Sequence, residues 1–276
     1  ILFSEQKGSL QLFEKRSNLR KGGVPTVSDV WFVVAVTILL VLYAGSLLQV
    51  KYGLAGVFGT QLILLLVPLA LVIYTKKDMK LTYGFTGTGA AGFVGSAFLA
   101  VGVYLINIML AGGLMKLFPQ SAENVETTFS GIMGDNVPAA FLVIALAPAV
   151  CEEMLFRGLI LHSLKARYRV VSAIAITAAL FGAYHMSLVK FIPTGLLGAV
   201  LCYVVWKTGS IYPAMLMHFL NNACSVIVTY FPEQAGRVVP MLMRDTLTFS
   251  DGMLLLGAGL ILLGIGALVL RKCRKT

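Results

Sequence analysis

Two adjacent carboxylates and an arginine sit in the stretch CEEMLFRG, residues 151–158, inside a run that is otherwise apolar for the length of a membrane-spanning helix. An ionised side chain at the middle of such a helix costs about 2.5 to 3.5 kcal/mol, so three together require pairing, a water-filled cavity, or both. The spacing assigns the pair. Glu153 and Arg157 stand at i and i+4 on one helical face, within salt-bridge reach, whereas Glu152 points about 100° away. The arginine compensates one carboxylate and leaves the other, Glu152, in a low-dielectric setting with the chemistry of a general base.

Two of the three histidines also fall in apolar runs. His185 closes FGAYH one turn after Phe181, and His218 opens HFLNN one turn before Asn222, so each pair shares a face. His162, beside Lys165, reads as an interfacial histidine. Taken singly, an intramembrane His or Asn most often makes an interhelical hydrogen bond, and a Glu/Arg pair is most often a structural bridge. Taken together, Glu152, Glu153, Arg157, His185, His218 and Asn222 form most of the polar inventory of the apolar runs, and such residues mark functional sites.

The elements that must position them are helices in a bilayer. Of 276 residues, 58% are hydrophobic and 12% charged, with a mean hydropathy of +0.88; this is the composition of a polytopic membrane protein. Hydropathy predicts eight helices: Val30 to Val50, Leu54 to Tyr74, Gly89 to Leu114, Val137 to Leu164, Val170 to Leu188, Phe191 to Trp206, Ile211 to Phe231 and Gly252 to Leu270. Residues 1–29 read as a basic leader, 30–270 as the membrane domain and 271–276 as a basic tail. Counted at about 1.5 Å per residue from the inner ends, Glu152 lies roughly 20 Å deep, His185 roughly 22 Å, Asn222 roughly 16 Å and His218 roughly 10 Å. Tilt must bring them together.

The formal charge of +10 is not that of a nucleic-acid binder, because the cations fall in short clusters between apolar runs. With both termini cytoplasmic, 16 Lys and Arg lie on the inner segments and five on the outer, with Arg157 alone inside a span. The four cysteines, Cys151, Cys202, Cys224 and Cys273, have neither CxxC nor paired metal spacing, which argues against a disulfide framework or structural zinc. The chain starts at Ile1, as expected of numbering that begins inside a longer product or after processing. The last four residues, Cys273 to Thr276, have CAAX length but carry charges at the aliphatic positions, so the chain is not itself a prenylation substrate.

The polar residues resemble those of the CPBP family of intramembrane endopeptidases, the CAAX proteases and bacteriocin-processing enzymes. Its motifs EExxxR, FxxxH and HxxxN occur in order as Glu152 to Arg157, Phe181 to His185 and His218 to Asn222. The approach KTGSIYPAMLMHFLNN is also similar to the family's, and the resemblance covers about 137–231. It implies an all-α bundle of about eight transmembrane helices with its catalytic core in helices four to seven. It further implies hydrolysis of a peptide bond in a membrane-associated or prenylated substrate. In that chemistry Glu152, helped by His185, activates a water; His218 and Asn222 donate to the oxyanion; Arg157 holds Glu153; and Phe181 packs on His185. No cofactor is required. Family members are also described as metalloproteases, and Glu152, His185 and His218 could supply three zinc ligands with a fourth position for water. The absence of HExxH favours the metal-free form.

Some bacterial members of the family follow an ABC-type permease domain in one polypeptide, so ILFSEQKGSLQLFEKR reads as a junction to such a domain, in a bacterial cytoplasmic membrane. Two rival classes stand beside the protease. A proton-coupled carrier also uses intramembrane Glu and His but predicts broken helices in paired repeats, and none is evident. A non-catalytic transport or scaffold subunit of a permease has no use for a carboxylate without a partner.

Overall fold

Capping residues and glycines set most of the helix boundaries. The structure, a computed structural model, describes residues 23–132, 134–239 and 247–273, which form helices with no strand among them. The first helix, α1 (Val27–Tyr52), starts at Thr26, whose side chain and that of Asp29 form a reciprocal cap, and it contains a π-helical turn at Val41–Gly45. A sharp turn at Gly53, with φ of 53°, reverses the chain into α2 (Leu54–Tyr74). A short α3 (Met79–Tyr83) is capped by Asp78 and precedes α4 (Ala90–Leu117). An amphipathic α5 (Pro119–Ile132) leads to α6 (Val137–Lys165), which opens with an Asn136 cap and a proline in its first turn. The rest comprises α7 (Val170–Ala183), α8 (Leu188–Thr208), α9 (Tyr212–Tyr230), α10 (Pro232–Val238) and α11 (Phe249–Leu270).

Six of these helices, α1, α2, α4, α6, α8 and α11, are long and apolar enough to cross a bilayer, and α9 with α10, bent by 114°, makes a seventh. The chain is an integral membrane protein built as a polytopic helical bundle.

The connections sort into two ends by their hydrogen bonds. At one end, Asp78 N donates to Gly23 O, Ile211 N to Gly84 O and Thr86 Oγ1 to Gly209 O, while a side chain at Gly84 would strike the His162 ring. At the other, Lys116 Nζ donates to Leu247 O, Tyr230 Oη to Gly134 O, and Ser121 and Ser187 share a hydrogen bond. Successive connections alternate between these ends, as an up-and-down bundle requires. One pass departs from expectation. The fifth helix, predicted as Val170 to Leu188, stops at Ala183 after 14 residues, short of the roughly 20 a straight crossing needs. A turn at residues 184–187, with Met186 at φ of 47°, feeds α8, which consequently begins at Leu188 and not at Phe191.

Two close contacts fix the frame. Gly95 and Gly102 on α4 face Gly266 and Gly259 on α11, and a Cβ at any of the four would come within about 3 Å of the opposing backbone carbonyl. The main core runs through α6, α7, α8 and α9, with Leu155, Phe156, Leu159, Ile160, Leu201 and Met217 essentially inaccessible. The expected leader before residue 23 and the last three residues of the tail lie outside the described residues, as do the candidate permease junction and Arg244.

Candidate active site

The charged stretch of α6 sits where that helix changes winding, with α-helical turns from Ala147 to Glu153 between π-helical ones at Phe141–Leu146 and Met154–Ile160. The pairing read from spacing is present: Arg157 Nη1 donates to Glu153 Oε1 at 2.8 Å, and both side chains are fully buried. Arg157 Nη2 donates to Gly198 O on α8 at 3.3 Å. Gly198 permits this approach, because a Cβ there would lie 3.0 Å from Phe181 Cδ1.

Phe181, on α7, joins the motifs. The Arg157 guanidinium lies 4.2 Å from its ring centroid, and both the His185 and His218 rings meet it edge to face, at 5.2 and 5.7 Å. Its ring also meets Phe156 edge to face at 5.0 Å, so its expected contact with His185 is one of four. His185 lies not inside a helix but in the turn that closes α7, so the expected mid-span position is corrected to the tip of the α7–α8 hairpin. Its Nδ1 is 2.9 Å from Phe181 O. A carbonyl only accepts, so Nδ1 carries the proton and Nε2 is left as an acceptor in the neutral ring. Glu152, Lys190 and His218 are its charged or titratable neighbours.

His218, on α9, is buried and donates from Nδ1 to Glu153 Oε1 at 2.8 Å. One oxygen of Glu153 thus receives both the arginine and the histidine, and Nε2 of His218 faces Glu152 Oε2 at 4.0 Å. Depth counting put these two residues about 10 Å apart; the crossing of α6 and α9 removes that offset. Two carboxylates and one guanidinium carry one net negative charge when ionised, and a single proton on His218 balances it.

Glu152 is not without a partner, as spacing implied. Gln61 Nε2, from α2, donates to its Oε1 at 2.9 Å. Sequence reasoning passed over Gln61, and the signal was there: a lone amide in the apolar run GTQLILLLV. Tyr184 was also missed. Its hydroxyl donates to Val34 O at 3.1 Å and shares a hydrogen bond with Thr37, and its ring packs on Phe156, tying the hairpin tip to α1 and α6.

Asn222 is placed differently from Glu152 and His218. Its Nδ2 donates to Ile144 O at 3.1 Å, and its Oδ1 accepts from Asn221. In a regular α-helix the Ile144 carbonyl would accept from residue 148, which is a proline and has no N–H. Ile144 lies in a π-helical turn, Phe141–Leu146, and Asn222 donates to its carbonyl from the neighbouring helix. No recorded side-chain contact joins it to Glu152 or His218, although one of its two amide hydrogens remains available. His162 is half-buried beside Gly84 at one end of the bundle, with Nδ1 within hydrogen-bonding distance of Arg157 O and Gly158 O. A zinc ion would need three convergent ligands, and among the described residues no three His, Cys, Asp or Glu side chains gather to hold one. The approach of Glu152 to His218 supplies two.

Residues 134–224 match the family model described as Type II CAAX prenyl endopeptidase Rce1-like, a stretch that includes all three motifs. Comparisons with curated proteins and with solved structures gave no match.

Proposed function

We propose, from the match of residues 134–224 to a family model of the CAAX prenyl endopeptidase type, that the chain is a peptide hydrolase related to the CPBP proteases and cleaves a peptide bond in a membrane-associated substrate with a water activated at Glu152. The observation that carries this is the Glu152–His218 approach, 4.0 Å between Oε2 and Nε2, above a Glu153 whose charge is already matched by Arg157.

Water donates one hydrogen to Glu152 Oε2 and the other to His185 Nε2, which directs a lone pair at the scissile carbonyl. The site's balancing proton sits on His218 Nε2 and is donated to the oxyanion, while Glu153 holds Nδ1 and stabilises the imidazolium. The free amide hydrogen of Asn222 is a second oxyanion donor. As the tetrahedral intermediate collapses, Glu152 passes the proton it took from water to the leaving amine. His218 keeps its proton throughout as a hydrogen-bond donor, the new carboxylic acid gives its proton to the new amine to leave one carboxylate and one ammonium terminus, and the enzyme returns to its starting protonation. No step is routed through a metal.

The substrate class follows from the family and the setting: a lipidated or membrane-embedded peptide, with a prenylated CAAX peptide as the first probe. The 16-to-five cation bias supports cytoplasmic termini, which puts the Gly84–Gly209 end of the bundle in the cytoplasm. The test is cleavage of a farnesylated CAAX peptide bearing a fluorophore and quencher across the scissile bond. Glu152→Gln is expected to be folded and inactive, and wild-type turnover in that variant would remove Glu152 as the base.

A further inference from the structure

Gln61 belongs to none of the three motifs and lies outside the residues matched by the family model. Its side chain is only 7% exposed, its Nε2 donates 2.9 Å to Glu152 Oε1, and its own Oε1 is buried without a partner. We infer that Gln61 is the positioning residue of the site: by occupying Oε1 of Glu152 it makes Oε2 the basic oxygen and holds it toward His218 and the water. This rests on the proposed role of Glu152.

The orphaned carbonyl is what distinguishes this from packing. An amide retained only to fill the gap between α2 and α6 would be replaced to advantage by an apolar side chain of the same length, since an unsatisfied buried acceptor is a net cost. Glu152 is faced by Gln61 from α2, His218 from α9 and His185 from the hairpin tip, with Cys151 and Glu153 beside it on its own helix. Among the described residues only Gln61 donates to Oε1. Without it the carboxylate rotates freely about its last torsion, and either oxygen can meet the histidine.

Gln61→Met and Gln61→Ala separate the two roles, because a methionine fills the space with no donor while an alanine leaves room for a water that can bond to Oε1. In detergent-purified enzyme with the farnesylated CAAX peptide, Gln61→Met is expected to keep or raise the wild-type Tm. Its kcat should fall about 10- to 100-fold with KM within about twofold, the scale of one hydrogen bond to a charged group. Gln61→Ala is expected to have the lower Tm but the higher kcat of the two. A structural role predicts the opposite order, with kcat following Tm. Wild-type kcat in Gln61→Met, or Gln61→Ala below Gln61→Met in both measures, overturns the inference; Gln61→Leu takes the place of Gln61→Met if that variant is not recovered. Glu152→Gln run alongside keeps the two failures apart. Its inactivity with a neutral Gln61→Met refutes only the role of Gln61, whereas activity in Glu152→Gln refutes the base.

Discussion

Replacing Arg157 with methionine removes the guanidinium hydrogen-bonded to Glu153 while preserving much of the volume between Phe156 and Phe181. Glu153 is left with 0% exposure and with His218 as its remaining charge partner. Breaking a buried pair from one side costs about 3 to 5 kcal/mol, a large share of the roughly 5 to 15 kcal/mol that holds a typical domain together. The loss of the bond to Gly198 O and of the stacking on Phe181 adds to it. Removing both charges is different. Glu153→Gln with Arg157→Met leaves no buried charge in that layer, and an amide oxygen still accepts from His218 Nδ1, so the double variant is expected within about 1 kcal/mol of wild type. The coupling between the two sites is then at least about 2 kcal/mol, far above the error of additivity for independent positions. Denaturant unfolding in mixed micelles, followed by tryptophan fluorescence, measures it. The recovered double variant is expected to remain a poor enzyme, since a neutral residue 153 no longer supports a protonated His218. Losses that simply add would show that the buried bridge is not what holds this layer.

Asn222→Ala deprives the Ile144 carbonyl of its donor and is expected to cost about 1 kcal/mol or more; Pro148→Ala supplies an N–H and should recover that stability, while a shortfall in kcat of roughly 10²-fold that persists in the double variant would mark Asn222 as an oxyanion donor. His218→Ala is expected to lower kcat by roughly 10² to 10³ without releasing metal. Enzyme purified in strong chelator should retain its turnover, and stoichiometric zinc lost in His185→Ala or His218→Ala would overturn the water mechanism written here while leaving the protease intact. Single cysteines beside Lys77 and Lys165 should label from the cytoplasmic side and those beside Glu126 and Arg237 from the opposite one; labelling of the Glu126 neighbour from the cytoplasm alone would invert the topology.

The bridge and the aromatic contact were legible because both depend on helical periodicity alone: residues four apart share a face whether or not the rest of the bundle is known. Glu153 to Arg157 and Phe181 to His185 met that condition. The end of α7 did not. Hydropathy continues through Tyr184, Met186 and Leu188, and the stop at Ala183 comes from tertiary bonds of the Tyr184 hydroxyl to α1 and from the left-handed backbone at Met186. Gln61 escaped notice because one neutral amide barely changes the mean of a 20-residue apolar window, and its partner is 91 residues away. Asn222 is turned toward a carbonyl of another helix, which no pattern along α9 contains.

The glycine contacts between α4 and α11 bear on the order in which the molecule is made. The two helices are far apart in sequence, and α4 leaves the ribosome well over a hundred residues before α11. Throughout that interval the face bearing Gly95 and Gly102 has no permanent neighbour, and a backbone exposed through glycine is open to any small-residue helix that passes. The catalytic motifs on α6, α7 and α9 are therefore synthesised into a bundle whose outer wall is still missing. Assembly finishes with the last helix, and nascent chains arrested before residue 249 should be cleared by membrane quality control even though every motif residue is already present.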